Sequence, residues 1–329
     1  MSAPAPEWAV IQEGSGELLR PPDPEAFRRW NRNKPRDLRD KRMTEQEAIR
    51  RLVEDGDYIA TELYGGVRCP MSLAREVVRQ GKKHLRAVGQ GVLELDLWLA
   101  AGLVDAMDIT YHGLEVRGVS SVLRRTAEAG RVKLVEWSNG AIAWRMKAAA
   151  MGVPFIPVKS MLGTDTLAFS AAKVVECPFT GDRVCLLPAL NVDVALIHVH
   201  RADCYGNAQI DGISGFSFEL ARACRKLIVS AEEIVDTEEL RRTPDRTTIP
   251  YYLADAVVHA PFGSHPGEMV FDYIHDEEHM SRVVEASRTE DGMRAYLDEW
   301  VYGTRDHEDY LDRVGRERLA AFARQAVGR

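Results

Sequence analysis

The stretch Ala254-Asp-Ala-Val-Val-His-Ala-Pro-Phe-Gly-Ser-His-Pro-Gly267 is a short aliphatic run that breaks into a loop of proline, glycine and histidine. It reads as a buried strand followed by a loop. Loops at the C-terminal ends of strands are where open α/β sheets bind ligands. A second stretch is Asp298-Glu-Trp-Val-Tyr-Gly-Thr-Arg-Asp-His-Glu-Asp-Tyr-Leu-Asp-Arg-Val-Gly315, whose part from Trp300 to Tyr310 is crowded with aromatic and acidic residues and reads as packing and subunit contact.

Outward from the first stretch, apolar runs alternate with helical patterns. Strands are expected at Tyr58–Leu63, Leu85–Val88, Ala106–Thr110, Val132–Glu136, Pro154–Val158, Val192–Val199, Leu227–Ser230 and Asp255–Ala260. Helices are expected at Met71–Gln80, Val92–Ala101, Ser120–Ala129, Ala141–Met151 and Gly215–Cys224, and three more run from about Asp276 to Ala326. Such alternation builds an α/β fold: an open, mostly parallel sheet with helices on both faces, closed by C-terminal helices.

Residues 1–43 differ in character, being rich in Pro, Arg and Asp. They read as an N-terminal extension with one short helix, Pro24–Asn31, that either wraps a neighbouring subunit or is loosely ordered. The main domain spans residues 44–329. It opens on Thr44-Glu-Gln-Glu47, a capping box in which Thr44 caps a backbone N–H and Glu47 reaches back. Ala48, Leu52 and Val53 then supply an apolar helical face.

Composition narrows the function. A hydrophobic content of 45% suits a globular protein. The formal net charge of −7, with basic and acidic residues interleaved as in Arg36-Asp-Leu-Arg-Asp-Lys-Arg42, argues against a nucleic-acid partner. No apolar run reaches the roughly 20 residues of a membrane helix, and the N-terminus lacks the features of a signal peptide. A cytoplasmic, membrane-free protein is expected. Cys69, Cys177, Cys185, Cys204 and Cys224 form no CxxC pair, which suits reduced thiols and neither a disulfide framework nor a metal site. The histidines, among them His198, His200, His259 and His265, have no spacing that pairs them into a zinc site. No GxGxxG and no GxxxxGK[ST] occurs, which speaks against a nicotinamide or ATP enzyme.

Several segments together resemble the alpha subunits of class I coenzyme A transferases, of the glutaconate type. They are the two quoted stretches, Ala148-Ala-Ala-Met-Gly-Val-Pro-Phe-Ile-Pro157, Val192-Asp-Val-Ala-Leu-Ile-His198 with Asp203-Cys-Tyr-Gly-Asn207, Glu232-Glu-Ile234, Arg241-Arg-Thr-Pro244 and Ile249-Pro250. The resemblance runs from about Thr44 to Gly315. It implies an alpha subunit paired with a beta subunit of the same fold, in a heterodimer assembled into a heterotetramer or larger. It also implies a glutamate nucleophile on the beta partner, which attacks an acyl-CoA thioester and carries CoA to a second carboxylic acid. Coenzyme A or acyl-CoA and a small carboxylate would be substrates, with no permanently bound cofactor. Backbone N–H donors in glycine-rich loops would face the developing oxyanion.

Two segments depart from the family pattern. The turn that corresponds to the beta subunit's nucleophile loop reads Trp137-Ser-Asn-Gly-Ala141, and an amide at Asn139 cannot serve as a carboxylate nucleophile. Ser138 and Asn139 either cap the next helix, or cap it and line the active site together with Gly140. Near the first main strand, Glu62-Leu-Tyr64 stands where family alpha subunits usually carry Gly-Gly-Phe; either the glycines have slid along the loop to Gly65-Gly66, or a carboxylate has replaced a glycine in the wall of the site. Glu62 is thus a candidate acid or base, which would turn the chemistry toward hydrolysis or carbon–carbon cleavage. The alternative is a surface or salt-bridged carboxylate. Gly65, Gly66 and Arg68 form a candidate anion loop, the arginine offering a fork to a phosphate or carboxylate. Beyond the transferase and the hydrolase or lyase stands a third possibility, a noncatalytic structural or ligand-sensing subunit.

Overall fold

The aliphatic run that begins at Val192 forms the longest buried strand, and ten of its eleven residues, Val192–Ala202, are fully enclosed. The computed structural model describes residues 9–62 and 66–327. Its strands, in chain order, are β1 (Val10–Glu13), β2 (Tyr58–Thr61), β3 (Leu85–Val88), β4 (Val104–Ile109), β5 (Lys133–Glu136), β6 (Phe155–Val158), β7 (Lys173–Glu176), β8 (Arg183–Pro188), β9 (Val192–Ala202), β10 (Ala208–Gln209), β11 (Cys224–Ile234), β12 (Thr247–Ile249) and β13 (Ala256–His259). In the main sheet the parallel order is β5-β4-β3-β2-β9-β11-β13. The far end of β9 carries the short antiparallel strands β10 and β12.

Because successive side chains of a strand point to opposite faces, β9 feeds two cores. Val194 and Leu196 join the core shared with the Glu45–Leu52, Met71–Arg79 and Leu93–Ala100 helices and the C-terminal helices. Ala195, Ile197 and Val199 join the core under the Asn139–Met151 and Ser217–Ala223 helices. Helices therefore cover both faces, as the alternation predicts.

Three expectations differ from the structure. Residues 155–158 do not extend the parallel sheet; they pair with β8 in a separate antiparallel sheet of order β1-β7-β8-β6. Periodicity reports that a segment is a strand, not which sheet it joins. In the capping box, Thr44 Oγ1 accepts from Glu47 N at 3.1 Å, but the Glu47 carboxylate pairs with Arg51 at 2.8 Å instead of reaching back. The C-terminal region holds four α-helices, Glu277–Ser287, Glu290–Leu297, His307–Val314 and Arg316–Val327, with a π-helical turn at Asp298–Tyr302.

The described part of the extension runs over its own chain. Arg20 pairs with Asp193, and Lys34 Nζ donates to Arg225 O, Leu253 O and Asp255 at 3.0, 2.7 and 2.6 Å. One buried hub positions the turn after β5. Asp108 accepts from Tyr58 Oη, from Trp137 Nε1 at 2.7 Å and from Arg145 Nη1 at 2.9 Å, and Arg145 stacks 3.9 Å from the Trp137 ring centre. Among the described residues no helix is long and apolar enough to cross a membrane.

Candidate functional site

The loops after β2 and β13 meet at the C-terminal edge of the parallel sheet. Arg68 N donates to Glu268 O and Glu268 N to Gly66 O, both at 2.8 Å, so the two loops zip together around Val67. Gly267 makes this possible: a Cβ there would lie 2.0 Å from Gly66 O. Gly267→Ala is therefore expected to cost about 1–3 kcal/mol by forcing the two backbones apart. Urea denaturation checks it, and an unchanged midpoint rejects the contact.

Glu62 follows β2 and is 1% exposed. Its Oε2 accepts from Arg68 Nη2 at 2.7 Å and from Ser217 Oγ at 2.6 Å. Arg68 is equally buried, donates to His198 O at 2.8 Å and Ser214 O at 3.3 Å, and holds a positive φ of 53°. Such backbone strain persists only where surrounding bonds enforce it. Glu62 is thus the salt-bridged carboxylate of the two alternatives. The terminal nitrogens of Arg68 are taken up by Glu62, Ser217 Oγ and the carbonyls of His198 and Ser214, so the guanidinium is turned into the chain. Gly66 adopts φ +80° beside Gly267, and Gly65 lies outside the described residues, as do Leu63 and Tyr64.

A second carboxylate organises the loop after β13. Glu232, at the end of β11, accepts from Phe262 N at 2.6 Å, Gly263 N at 3.1 Å and Tyr273 Oη at 2.7 Å. His198 Nε2 lies 2.7 Å from Glu232 and its Nδ1 lies 2.9 Å from Ser230 Oγ. A carboxylate only accepts, so Nε2 carries the proton and Ser230 donates to Nδ1. The Ser230–His198–Glu232 line looks like a hydrolytic triad, but Ser230 and His198 are both sealed inside the sheet. A nucleophile must reach its substrate, so this line serves to hold the loop.

The two stretches 254–267 and 298–315 touch each other. His265 Nδ1 sits 2.7 Å from Tyr310 Oη, and His307 Nε2 sits 2.7 Å from Pro261 O. The guanidinium of Arg75 lies 3.6 Å from the Tyr310 ring centre. The second stretch thus packs, as expected, directly beneath the loop of the first. His265, Asp276 and His279 bring their ligand atoms within 4.8 Å of one another. Yet Arg318 donates to both oxygens of Asp276, at 2.6 and 2.8 Å, and a guanidinium there opposes a dication. Burial lowers both imidazoles, His279 to about 3, so they act as neutral hydrogen-bonding groups.

Farther along the same edge, Ser138 Oγ caps the Asn139–Met151 helix through Ala141 N at 3.1 Å. Asn139 and Gly140 are exposed, and a Cβ on Gly140 would meet nothing within 4 Å. Gln90 Nε2, from the turn after β3, donates to Asn139 O at 2.9 Å and joins the two turns. The Ser138–Gly140 turn and the Glu62–Arg68 pair therefore share an edge but stand apart, with β3 and β4 between them.

Sequence reasoning does not single out two enclosed carboxyls, Glu232 and Glu94, as site candidates. Glu94 opens the Leu93–Ala100 helix, is completely buried, and is raised by that burial to about 7. The signal was present: an acid inside the apolar run Val92-Leu-Glu-Leu-Asp-Leu-Trp98 cannot face solvent from every turn.

The family model of coenzyme A transferase matches residues 42–260. The alpha subunit of glutaconate CoA-transferase from Acidaminococcus fermentans is 33% identical over 296 residues, covering 84% of this chain and 92% of that protein. The corresponding subunit of 3-oxoadipate CoA-transferase from Pseudomonas knackmussii is 31% identical over 277 residues, covering 83% of this chain and 97% of that one. The crystal structure of the Acidaminococcus fermentans glutaconate coenzyme A-transferase superposes with a TM-score of 0.82 at 32% identity, covering 86% of this chain and 95% of the other. With the parallel sheet, the edge loops and these matches in agreement, the chain belongs to the coenzyme A transferase family of enzymes and is similar to the alpha subunits of two of its transferases.

Proposed function

We propose that this chain is the alpha subunit of a two-subunit enzyme that moves coenzyme A between carboxylic acids, with the nucleophilic glutamate supplied by a beta partner of the same fold. The observation that carries this reading is the exposed Asn139–Gly140 turn, which ends in an amide where a nucleophile would need a carboxylate. The buried Glu62 is committed to Arg68 and does not replace it.

The chemistry then divides between the subunits. The partner's carboxylate attacks the thioester carbonyl, the carbonyl pair moves to oxygen, and its return expels CoA thiolate and leaves a mixed anhydride. The thiolate attacks the glutamyl carbonyl of that anhydride, releases the first acid and forms an enzyme–CoA thioester. A second carboxylate repeats the two steps in reverse order and departs as the new acyl-CoA. No water and no net proton is consumed. This chain contributes the wall of the site. The paired loops fix its backbone, and the N-terminal end of the Asn139–Met151 helix offers positive dipole to developing negative charge.

The test is to co-express the chain with its beta-type partner and supply acyl-CoA without an acceptor acid. The expected result is a mass increase of CoA less water on the partner's glutamate, with none on this chain. Consumption of acyl-CoA without an adduct, lost on Glu62→Gln, would establish a hydrolase or lyase instead. No turnover with the partner would establish a structural subunit.

A further inference from the structure

The formal net charge of the chain is −7, yet one cavity collects three guanidiniums around a single carboxylate. It lies between the Leu93–Ala100, Ser121–Glu128 and Glu290–Leu297 helices and measures about 140 Å3. Its floor is apolar: Leu99, Val122, Met293 and Leu297, each at most 5% exposed, belong to the core shared with the C-terminal helices. Its rim carries Arg125, Arg131, Arg294 and Glu290. None of its lining residues comes from the paired loops after β2 and β13.

The three cations differ in what they already hold. Arg131 pairs with Glu290, and both of these side chains are more than half exposed. Arg294 pairs with Asp291 at 3.1 Å on the open surface, a contact of little net worth. Arg125 forms no ion pair among the described residues. Its Nη1 donates to Ser287 O at 2.6 Å, while its Nε is enclosed and unpartnered. An enclosed donor without an acceptor is rare in a folded protein and calls for an explanation. Glu290 shows where the cations converge. Its carboxyl is held below the usual value first by the hydrogen bond from Arg131, then by the charges of Arg131, Arg125 and Arg294. Three guanidiniums thus act on one point, and one carboxylate balances them only in part.

We propose that this cavity binds a short-chain monocarboxylate, whose carboxylate takes the place of Glu290 among Arg125, Arg131 and Arg294 and whose alkyl tail covers the apolar floor. The size fits. An aliphatic cavity of roughly 150 Å3 admits benzene, so this one has room for an acid of about six non-hydrogen atoms, such as butyrate. The chemistry fits as well. A guanidinium matches a carboxylate with two parallel N–H donors. Phosphate takes the same fork but brings no apolar body to cover Leu99 and Met293, and a neutral amphiphile leaves the cations without a partner. Glu290 is then an internal competitor. It is exposed enough to return to water when the ligand enters, so the exchange strands no charge in the interior. The site goes beyond the transferase reading and does not rest on it, because occupancy is measured without turnover.

Isothermal titration calorimetry of the full chain with butyrate, at neutral pH and fixed ionic strength, tests this, with inorganic phosphate titrated alongside. Saturable binding of butyrate is expected. Arg125→Ala should weaken it about tenfold or more, the loss of one charge-assisted contact. Glu290→Gln should tighten it about two- to fivefold, because the competing surface carboxylate is gone. Glu290 is a surface residue, so this second variant reads the site independently of how well Arg125→Ala folds. The absence of saturable butyrate binding would overturn the proposal. Binding that both variants leave unchanged would also overturn it, by placing the acid elsewhere on the chain. Phosphate bound as tightly as butyrate, and equally dependent on Arg125, would reveal a general anion site and overturn the assignment to a monocarboxylate.

Discussion

Glu232→Ala is expected to lower the unfolding free energy by about 3–5 kcal/mol and to abolish acyl-CoA turnover by the complex. The carboxylate receives four donors: Phe262 N, Gly263 N, Tyr273 Oη and His198 Nε2. Alanine leaves all four without an acceptor in a space that is largely closed, since the Glu232 side chain is only 12% exposed. The cost of unmade bonds exceeds the modest gain of making them, because each buried donor forfeits water as well as its partner. The loss then spreads. Ser264 N donates to Tyr273 Oη at 3.0 Å, and Ser264 Oγ accepts from Cys69 N at 2.9 Å, so the loop after β13 and the loop after β2 both depend on Glu232. Glu232→Gln should fall between the wild type and alanine, since one oxygen remains but an NH2 meets other donors. Urea denaturation and a turnover assay read both effects. A loss below about 1 kcal/mol in Glu232→Ala would show that these bonds do not hold the loops.

The fold was legible wherever a segment's environment is uniform. β9 is enclosed on both faces, so its sequence is mostly aliphatic, and it reads as a buried strand from composition. β1 was missed because all four of its residues are exposed and carry no period. β6 was recognised as extended, but its partner β8 lies beyond an intervening helix and β7, a pairing that local patterning does not encode. The boundary between the Glu277–Ser287 and Glu290–Leu297 helices turns on Thr289, whose hydroxyl caps Gly292 N at 3.0 Å; a single hydroxyl weighs little against helical patterning on both sides.

The site divides in the same way. Ser138 acts as a cap through a bond three residues away, a local event that sequence encodes directly. Glu62 could be singled out by position, but its state could not. Its partner set draws on Arg68, on Ser217 at a separation of 155 residues and, through Arg68, on the carbonyl of His198. Whether an acid at a strand end is a base or half of an ion pair depends on what the rest of the chain brings to it.

That pair sets the second large expectation. Glu62→Ala should destabilise the chain by about 3–5 kcal/mol, because it leaves the Arg68 guanidinium buried without its counter-charge. The side chains of Arg68 and Glu62 are 0% and 1% exposed, so no rotation short of opening the loop returns the cation to water. Arg68→Met should cost a similar amount for the opposite reason, leaving the carboxylate with Ser217 as its remaining donor. The double substitution Glu62→Leu with Arg68→Met removes both charges together. It should cost clearly less than the sum of the single changes, since burying an ion pair yields little net stability over well-packed apolar side chains. Function separates the two roles offered for Glu62. In a structural pair, Glu62→Gln keeps the acceptor for Ser217 and Arg68, and the complex should retain its kcat within about tenfold while its stability falls. In an acid or base, kcat should drop by about 100-fold or more with the fold intact, because general acid–base catalysis contributes on that scale. The burial of Glu62 and its two short bonds predict the first result, and a kcat collapse in a stably folded Glu62→Gln complex would move the reacting carboxylate from the partner to this chain.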